Sequence, residues 1–160
     1  MKYFLLAVFL FANLIIGQEV FGKEYKTFIL VDTKSGKMEL WQDSKSIKKY
    51  RVAIGRGGVN KHQQNDNKTP LGNYSIGSPR PSRRFSIFIP LNYPTAEQIS
   101  KGYTGGNIGI HGPHRLFKKL GTINTWFNWT QGCIAVGTER EILDIANWMK
   151  KQKVNKVIIK

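Results

Sequence analysis

Cysteine is almost missing from this chain: Cys133 is the only one in 160 residues. A lone cysteine cannot close a disulfide within its own chain, which excludes a fold stapled by such bonds. Three roles remain: an inert buried thiol, a link to another chain, or a reactive nucleophile. Acidic residues are scarce as well. Asp and Glu number 10 against 25 Lys and Arg, a formal net charge of +15. That excess favours an anionic polymer or surface: wall carboxylates or teichoic acid, lipid headgroups, or nucleic acid. The lysines are spread along the chain (Lys45, Lys48, Lys49; Lys118, Lys119; Lys150, Lys151, Lys153) and form no single arm. A solvated basic surface accounts for most of them. Internal repeats and low-complexity segments are lacking, and no nucleic-acid-binding motif is recognisable.

Near the start, the apolar run Tyr3 to Ile16 is shorter than the ~20 residues that span a bilayer. It follows the charged Lys2 and leads to Val20-Phe21-Gly22, the pattern of a secretory signal. Residues 1–22 are therefore expected to be removed, leaving a domain over 23–160 without a membrane span. The alternative is an uncleaved N-terminal anchor. No cysteine follows the run, so a lipid anchor there is excluded. An exported chain, in the periplasm or at the cell wall or outside it, is the expected setting; nucleic acid is not an expected partner there.

Downstream, short β-rich runs alternate with turn residues. Thr27 to Val31 is apolar, residues 32–36 form a turn, and Lys37 to Trp41 alternates polar and apolar: a hairpin with one buried face. Lys48 to Ile54 reads as a third strand. Gly55-Arg56-Gly57-Gly58 reads as a flexible loop, because no Gly-Lys-Ser/Thr follows to mark phosphate binding. Val59 to Lys68 is polar, a surface loop with a solvated His62. Pro70 pushes Thr69 into an extended conformation. Gly72 to Ile76 is the next strand, where Tyr74 either joins the core or stacks on a ligand. Ser78 to Arg84 is a connection stiffened by Pro79 and Pro81, Phe85 to Leu91 an apolar strand, and Thr95 to Lys101 one or two helical turns.

A helix signal follows at Thr138, which with Glu141 fits a capping box. Ile142, Ile145, Ala146 and Met149 give it one apolar face, and Lys150 and Lys151 suit its negative end. Val154 to Ile159 closes as a strand. Many strands, one clear helix and no βαβ alternation imply a mainly β domain: a curved sandwich or half-barrel with one or two packed helices.

The chemistry gathers between Ile108 and Val136. Ile108-Gly109-Ile110-His111-Gly112 and Gly132-Cys133-Ile134-Ala135-Val136 share one grammar, an apolar β run beside glycine with one reactive side chain. If the two strands are neighbours, an imidazole and a thiol meet at their ends. That is the minimum for a thiolate nucleophile with a histidine base. His114 competes for the base role from beyond Pro113. A metal site of His111, His114, Cys133 and His62 is the other reading, but the tightly spaced ligand pairs of zinc sites are missing. A third reading makes the chain a wall-binding module, with Trp126, Phe127 and Trp129 as its binding aromatics; a lid packing over the site is the alternative role for these three.

Thr130-Gln131-Gly132-Cys133-Ile134 after His111-Gly112 resembles the signature of the L,D-transpeptidase catalytic domain (YkuD-type), a peptidoglycan-processing family. Lys68-Thr69-Pro70-Leu71-Gly72-Asn73-Tyr74 resembles its Thr-Pro-x-Gly-x-aromatic segment. The likeness covers roughly Glu24 to Lys160. It implies the family's β fold and no metal or organic cofactor. It implies Cys133 as nucleophile, His111 as base and acid, and the amides around Gly132 and Cys133 as oxyanion donors. His111 would hold the thiolate as an imidazolium partner. The implied substrates are peptidoglycan stem peptides. Cys133 would attack the third stem residue, release the terminal D-alanine and pass the acyl group to an amine on another stem or on a wall-anchored protein, in cross-linking and cell shape. Water as acceptor would make the same site a hydrolase, and carbapenems should acylate it. The chain departs from the common pattern at Thr130, where many members have serine, and at Ala135, where they have arginine. It looks like a subgroup with Trp-Thr-x-Gly-Cys-Ile-Ala-Val. Arg83, Arg84 or Arg115 would replace the lost arginine as carboxylate holder; Tyr74, Trp129 and Thr130 complete the substrate-contacting candidates.

Overall fold

The computed structural model describes residues 26–160. The expected signal segment, residues 1–22, lies outside them.

Nine strands form one sheet in the order β4-β9-β1-β2-β3-β8-β7-β6-β5. Strands β1 (Thr27–Asp32) and β2 (Lys37–Gln42) make the expected hairpin, with Asp32 opposite Lys37. The alternation does what it should: Ile29, Val31, Met38 and Leu40 are buried while their sequence neighbours are not. Strand β3 (Lys45–Ala53) joins the two halves of the sheet. It pairs with β2 along most of its length and with β8 (Ile134–Val136) through Val52 and Ala53. Strand β9 (Lys156–Ile159) lies between β1, parallel, and β4 (Gly72–Ser75), antiparallel.

On the other side of β8 come β7 (Gly109–His111), β6 (Ser86–Pro90) and the edge strand β5 (Arg80–Ser82). The sheet curls into a half-barrel. Its two ends approach where Ile76 bridges Leu91 and Asn92 N–H donates to Ser75 O at 2.9 Å. Helix α2 (Glu139–Gln152) lays Ile142, Ile145, Ala146 and Met149 into the curl, all at most 3% exposed. Burying each aliphatic side chain contributes about 2 kcal/mol. Thr138 caps it as expected, accepting from Glu141 N–H while the Glu141 carboxylate accepts from Thr138 N–H. Helix α1 (Ala96–Ser100) repeats the device with Thr95 and Gln98.

Three stretches depart from the sequence reading. Arg80-Pro81-Ser82 is a strand, not a mere connection; Pro81 is tolerated because β5 is an edge. Gly55 is not part of a loose loop. It bridges Thr130 and is buried, and a Cβ there would stand 2.2 Å from Asn67 O. The polar stretch 59–68 has its own buried ion pair. Lys61, 4% exposed, donates to Asp66 Oδ1 at 2.7 Å and to Gln63 O at 2.8 Å. The other Asp66 oxygen accepts from His62 and Gln63 N–H, so one carboxylate organises the loop.

Candidate active site

Strands β7 and β8 are parallel neighbours, with Ile110 opposite Ile134 and His111 opposite Ala135. Side chains alternate along a strand, so Cys133, two residues before Ala135, faces the side that His111 faces. The row extends further: Arg80 pairs with Phe88, and Phe88 with His111. Thiol and imidazole open together into one cleft of about 1060 Å³.

The backbone under Cys133 is fixed by two threonines. Thr69 is fully buried; its hydroxyl accepts from Gly55 N–H at 2.9 Å and donates to Gly132 O at 3.0 Å. Thr130 is 3% exposed; its hydroxyl donates to Cys133 O at 2.6 Å and accepts from Gly132 N–H at 3.1 Å. Gly132 has φ +122, and a Cβ there would meet Lys68 O at 2.5 Å. Only glycine suits that conformation and that approach. The Thr-Pro segment and the Gly-Cys block are thus one construction, tied by the Thr69 hydroxyl.

His111 is 1% exposed and its Nδ1 lies 2.7 Å from Gly112 O. A carbonyl can only accept, so Nδ1 carries the proton and Nε2 is the free acceptor of the neutral ring. Phe85 stacks on the imidazole at 3.9 Å, and Trp129 meets it edge-on at 5.8 Å. Burial pushes the His111 pKa down to about 4; the Gly112 bond opposes this, and His114 and Arg84 add to it. Burial also raises the Cys133 thiol, against Gly109 N–H and the Lys61 charge, which lower it. The thiol itself hydrogen-bonds to Asn107 O at 3.5 Å. Desolvation thus favours the neutral thiol and neutral imidazole over the expected imidazolium–thiolate pair.

The cleft is strongly basic. Among the described residues Arg56, Lys61, Arg80 and Arg84 line it, and no Asp or Glu does. Of the arginines proposed as carboxylate holders, Arg84 lines the cleft; Arg83 and Arg115 do not and are exposed. Tyr74 is placed elsewhere. It is 3% exposed, packs edge-on against Tyr93, and its hydroxyl donates to Leu71 O; the core won over ligand stacking. Trp129 lines the cleft, with its ring N–H held by Asn124 O at 2.8 Å. Thr130 borders the cleft too, but its hydroxyl is spent on backbone. Gly132 N–H is likewise engaged, by the Thr130 hydroxyl, which leaves Cys133 N–H as the candidate oxyanion donor. His114 reaches the cleft and meets Phe85 edge-on at 5.8 Å. His62 is an exposed loop residue against Tyr103. Among the described residues no three His, Cys, Asp or Glu side chains gather as metal ligands, and no helix is long and apolar enough to cross a membrane.

Sequence reasoning missed Lys61, Arg56 and Arg80 as parts of the site, and Asp66 as the partner that holds Lys61. A loop lysine gives no periodic signal that it turns inward. Arg80 could have been found, since Arg80 and Ser82 flank Pro81 with strand spacing.

Fold and site together define a class: a cysteine–histidine protein on a curled β half-barrel. The chain belongs to the L,D-transpeptidase catalytic-domain (YkuD) family, whose model matches residues 26–159. Solved structures agree on the fold. The helical cell shape determining protein Pgp2 from Campylobacter jejuni superposes with TM-score 0.69 at 22% identity, over 84% of this chain and 47% of that one. An L,D-transpeptidase from Mycobacterium smegmatis gives 0.53 at 13%, over 84% and 58%. The L,D-transpeptidase LdtMt1 in complex with imipenem gives 0.51 at 11%, over 84% and 59%. At such identities the likeness is one of fold. The chain spans about half the length of these structures. No curated protein sequence matches it.

Proposed function

We propose that this chain is an exported peptidoglycan L,D-transpeptidase in which Cys133 is the nucleophile and His111 the base. The observation that carries the reading is the shared face of Cys133 and His111 on adjacent parallel strands, opening into a cleft lined by cations and no carboxylate. Stem peptides are rich in carboxylates, and such a cleft draws them.

The neutral pair sets the order of proton transfers. As the Cys133 sulfur bonds to the stem carbonyl, its proton passes to His111 Nε2. The carbonyl oxygen becomes an oxyanion. Thr69 holds Gly132 O on one edge of the 132–133 peptide, which turns Cys133 N–H, on the opposite edge, toward that oxygen. When the intermediate collapses, the C–N bond breaks and the imidazolium returns the proton to the leaving amine. The thioester is then attacked by an acceptor amine, whose proton goes to His111 and on to the departing thiolate. A role in cell shape is the finer part of the proposal, supported by the likeness to Pgp2.

Hydrolysis at the same site is the second reading, and one observation favours it. Among the described residues no carboxylate lines the cleft to draw in an ammonium acceptor, whereas water needs none. Mass spectrometry of products from disaccharide tetrapeptide separates the two. Cross-linked dimer with released D-alanine, lost in Cys133→Ala, supports transpeptidation. Tripeptide without dimer means hydrolysis. No product from either protein overturns both.

A further inference from the structure

The imidazole of His111 belongs to a larger stack. Phe88 sits beside it with near-parallel rings, 6.4 Å and 17° apart, and Phe85 covers it at 3.9 Å and 22°. Each phenylalanine carries an arginine. The Arg80 guanidinium lies 5.3 Å from the Phe88 ring and that of Arg84 5.6 Å from the Phe85 ring. Arg80, Phe88 and His111 are consecutive partners across β5, β6 and β7, so the row comes from strand register and not from loose side chains. Both arginines line the cleft, and neither takes part in an ion pair among the described residues. Aromatic faces orient a guanidinium without satisfying its N–H donors.

We propose that Arg80 and Arg84 form a clamp for the carboxylate of the leaving residue of the acyl donor. The inference rests on the acyl-transfer reading above. The group that returns a proton to the leaving amine is the His111 imidazole, so the leaving residue sits over the stack. A leaving amino acid carries its carboxylate two bonds from that amine. Two cations with free forks flank the same ring. The clamp makes the site select donors that end in a free carboxylate directly after the scissile bond.

The test uses binding, so that it does not depend on turnover. Disaccharide tetrapeptide and its C-terminal amide are titrated by calorimetry into the Cys133→Ala chain at low salt. All other carboxylates are shared by the two ligands and cancel. The free acid is expected to bind about tenfold tighter than the amide, the order of one or two charge-assisted bonds. That preference disappears when Arg80→Gln/Arg84→Gln is added and shrinks about threefold with either single change. It persists with Arg83→Gln/Arg115→Gln, which removes the same charge outside the cleft. Equal affinity for acid and amide, no binding of either, or equal loss in the two double variants overturns the clamp. Turnover of the tetrapeptide by the unaltered chain is read separately: a clamp without turnover refutes only the acyl-transfer reading, and turnover without acid preference refutes only the clamp.

Discussion

Cys133 and His111 face one cleft, and burial favours the uncharged form of each. Thiol reactivity should therefore follow a raised pKa. Alkylation of Cys133 by iodoacetamide is expected to climb with pH through neutrality without a plateau. A plateau below about pH 7 would reveal a preformed thiolate. The same burial links His111 to stability. Its folded pKa, about 4, lies below its ordinary 6.5, so the unfolded chain binds the proton more tightly. Stability is full above pH 6.5 and falls by about 3 kcal/mol as the pH drops toward 4. Urea midpoints measured across that window check the sign, and His111→Gln should flatten the curve there. Thr69 offers a third residue-scale test. Thr69→Val strands Gly55 N–H and Gly132 O. The expected cost is about 2 kcal/mol with a large drop in turnover, and Thr69→Ser should restore most of both. Unchanged turnover in the valine variant would mean that the Gly132 carbonyl needs no tie.

At the scale of elements, the loop 59–68 and helix α2 make opposite points about what a sequence discloses. The helix was legible in full: cap, capping-box glutamate, apolar face and basic last turn all follow from local spacing, and all stand in the structure. Thr138→Ala should lower stability by about 1 kcal/mol, measured by urea unfolding. The loop was legible only as polar. Its ion pair depends on where Tyr93 places Lys61, whose carbonyl accepts from the Tyr93 hydroxyl at 3.1 Å. Burial alone would raise the Asp66 carboxyl. The Lys61 ammonium and the Lys68, Gln63 and His62 N–H groups outweigh it and hold that carboxyl far below its usual range. Lys61→Met leaves the carboxylate without its ammonium. A loss of about 3 kcal/mol is expected at neutral pH, largely recovered when Asp66→Asn is added. The strand β5 was hidden for a different reason. Pro81 argues against a strand locally, and only the position at the sheet edge removes the objection.

Across the whole molecule, the half-barrel brings distant segments to one cleft. The β5–β6 hairpin and the Gly-Cys block meet through the sheet order, and the Thr69 hydroxyl ties the Thr-Pro segment to that block. The mainly β class could be read from the sequence, and so could the approach of Cys133 and His111 to one cleft, because glycine-flanked apolar runs mark strand ends. The cations of the cleft could not be told from the many surface lysines and arginines until the fold sorted them. Arg80 and Arg84 are in, Arg83 and Arg115 are out. The net charge of +15 also sets a molecular-scale expectation. Sedimentation with purified peptidoglycan should weaken steeply toward about 1 M salt, where the screening length is about 3 Å. Salt-independent binding would instead point to the exposed aromatics Trp126 and Phe127.

Acyl transfer by this chain requires a covalent acyl group on Cys133. Rapid-quench mass spectrometry of the intact protein after mixing with imipenem, and separately with disaccharide tetrapeptide, looks for it. One adduct per chain is expected with each reagent, carried on the peptide that contains Cys133 and lost in Cys133→Ala. In His111→Gln the adduct should form at least about a hundredfold more slowly. An unmodified Cys133, or an adduct that survives in Cys133→Ala, would contradict it.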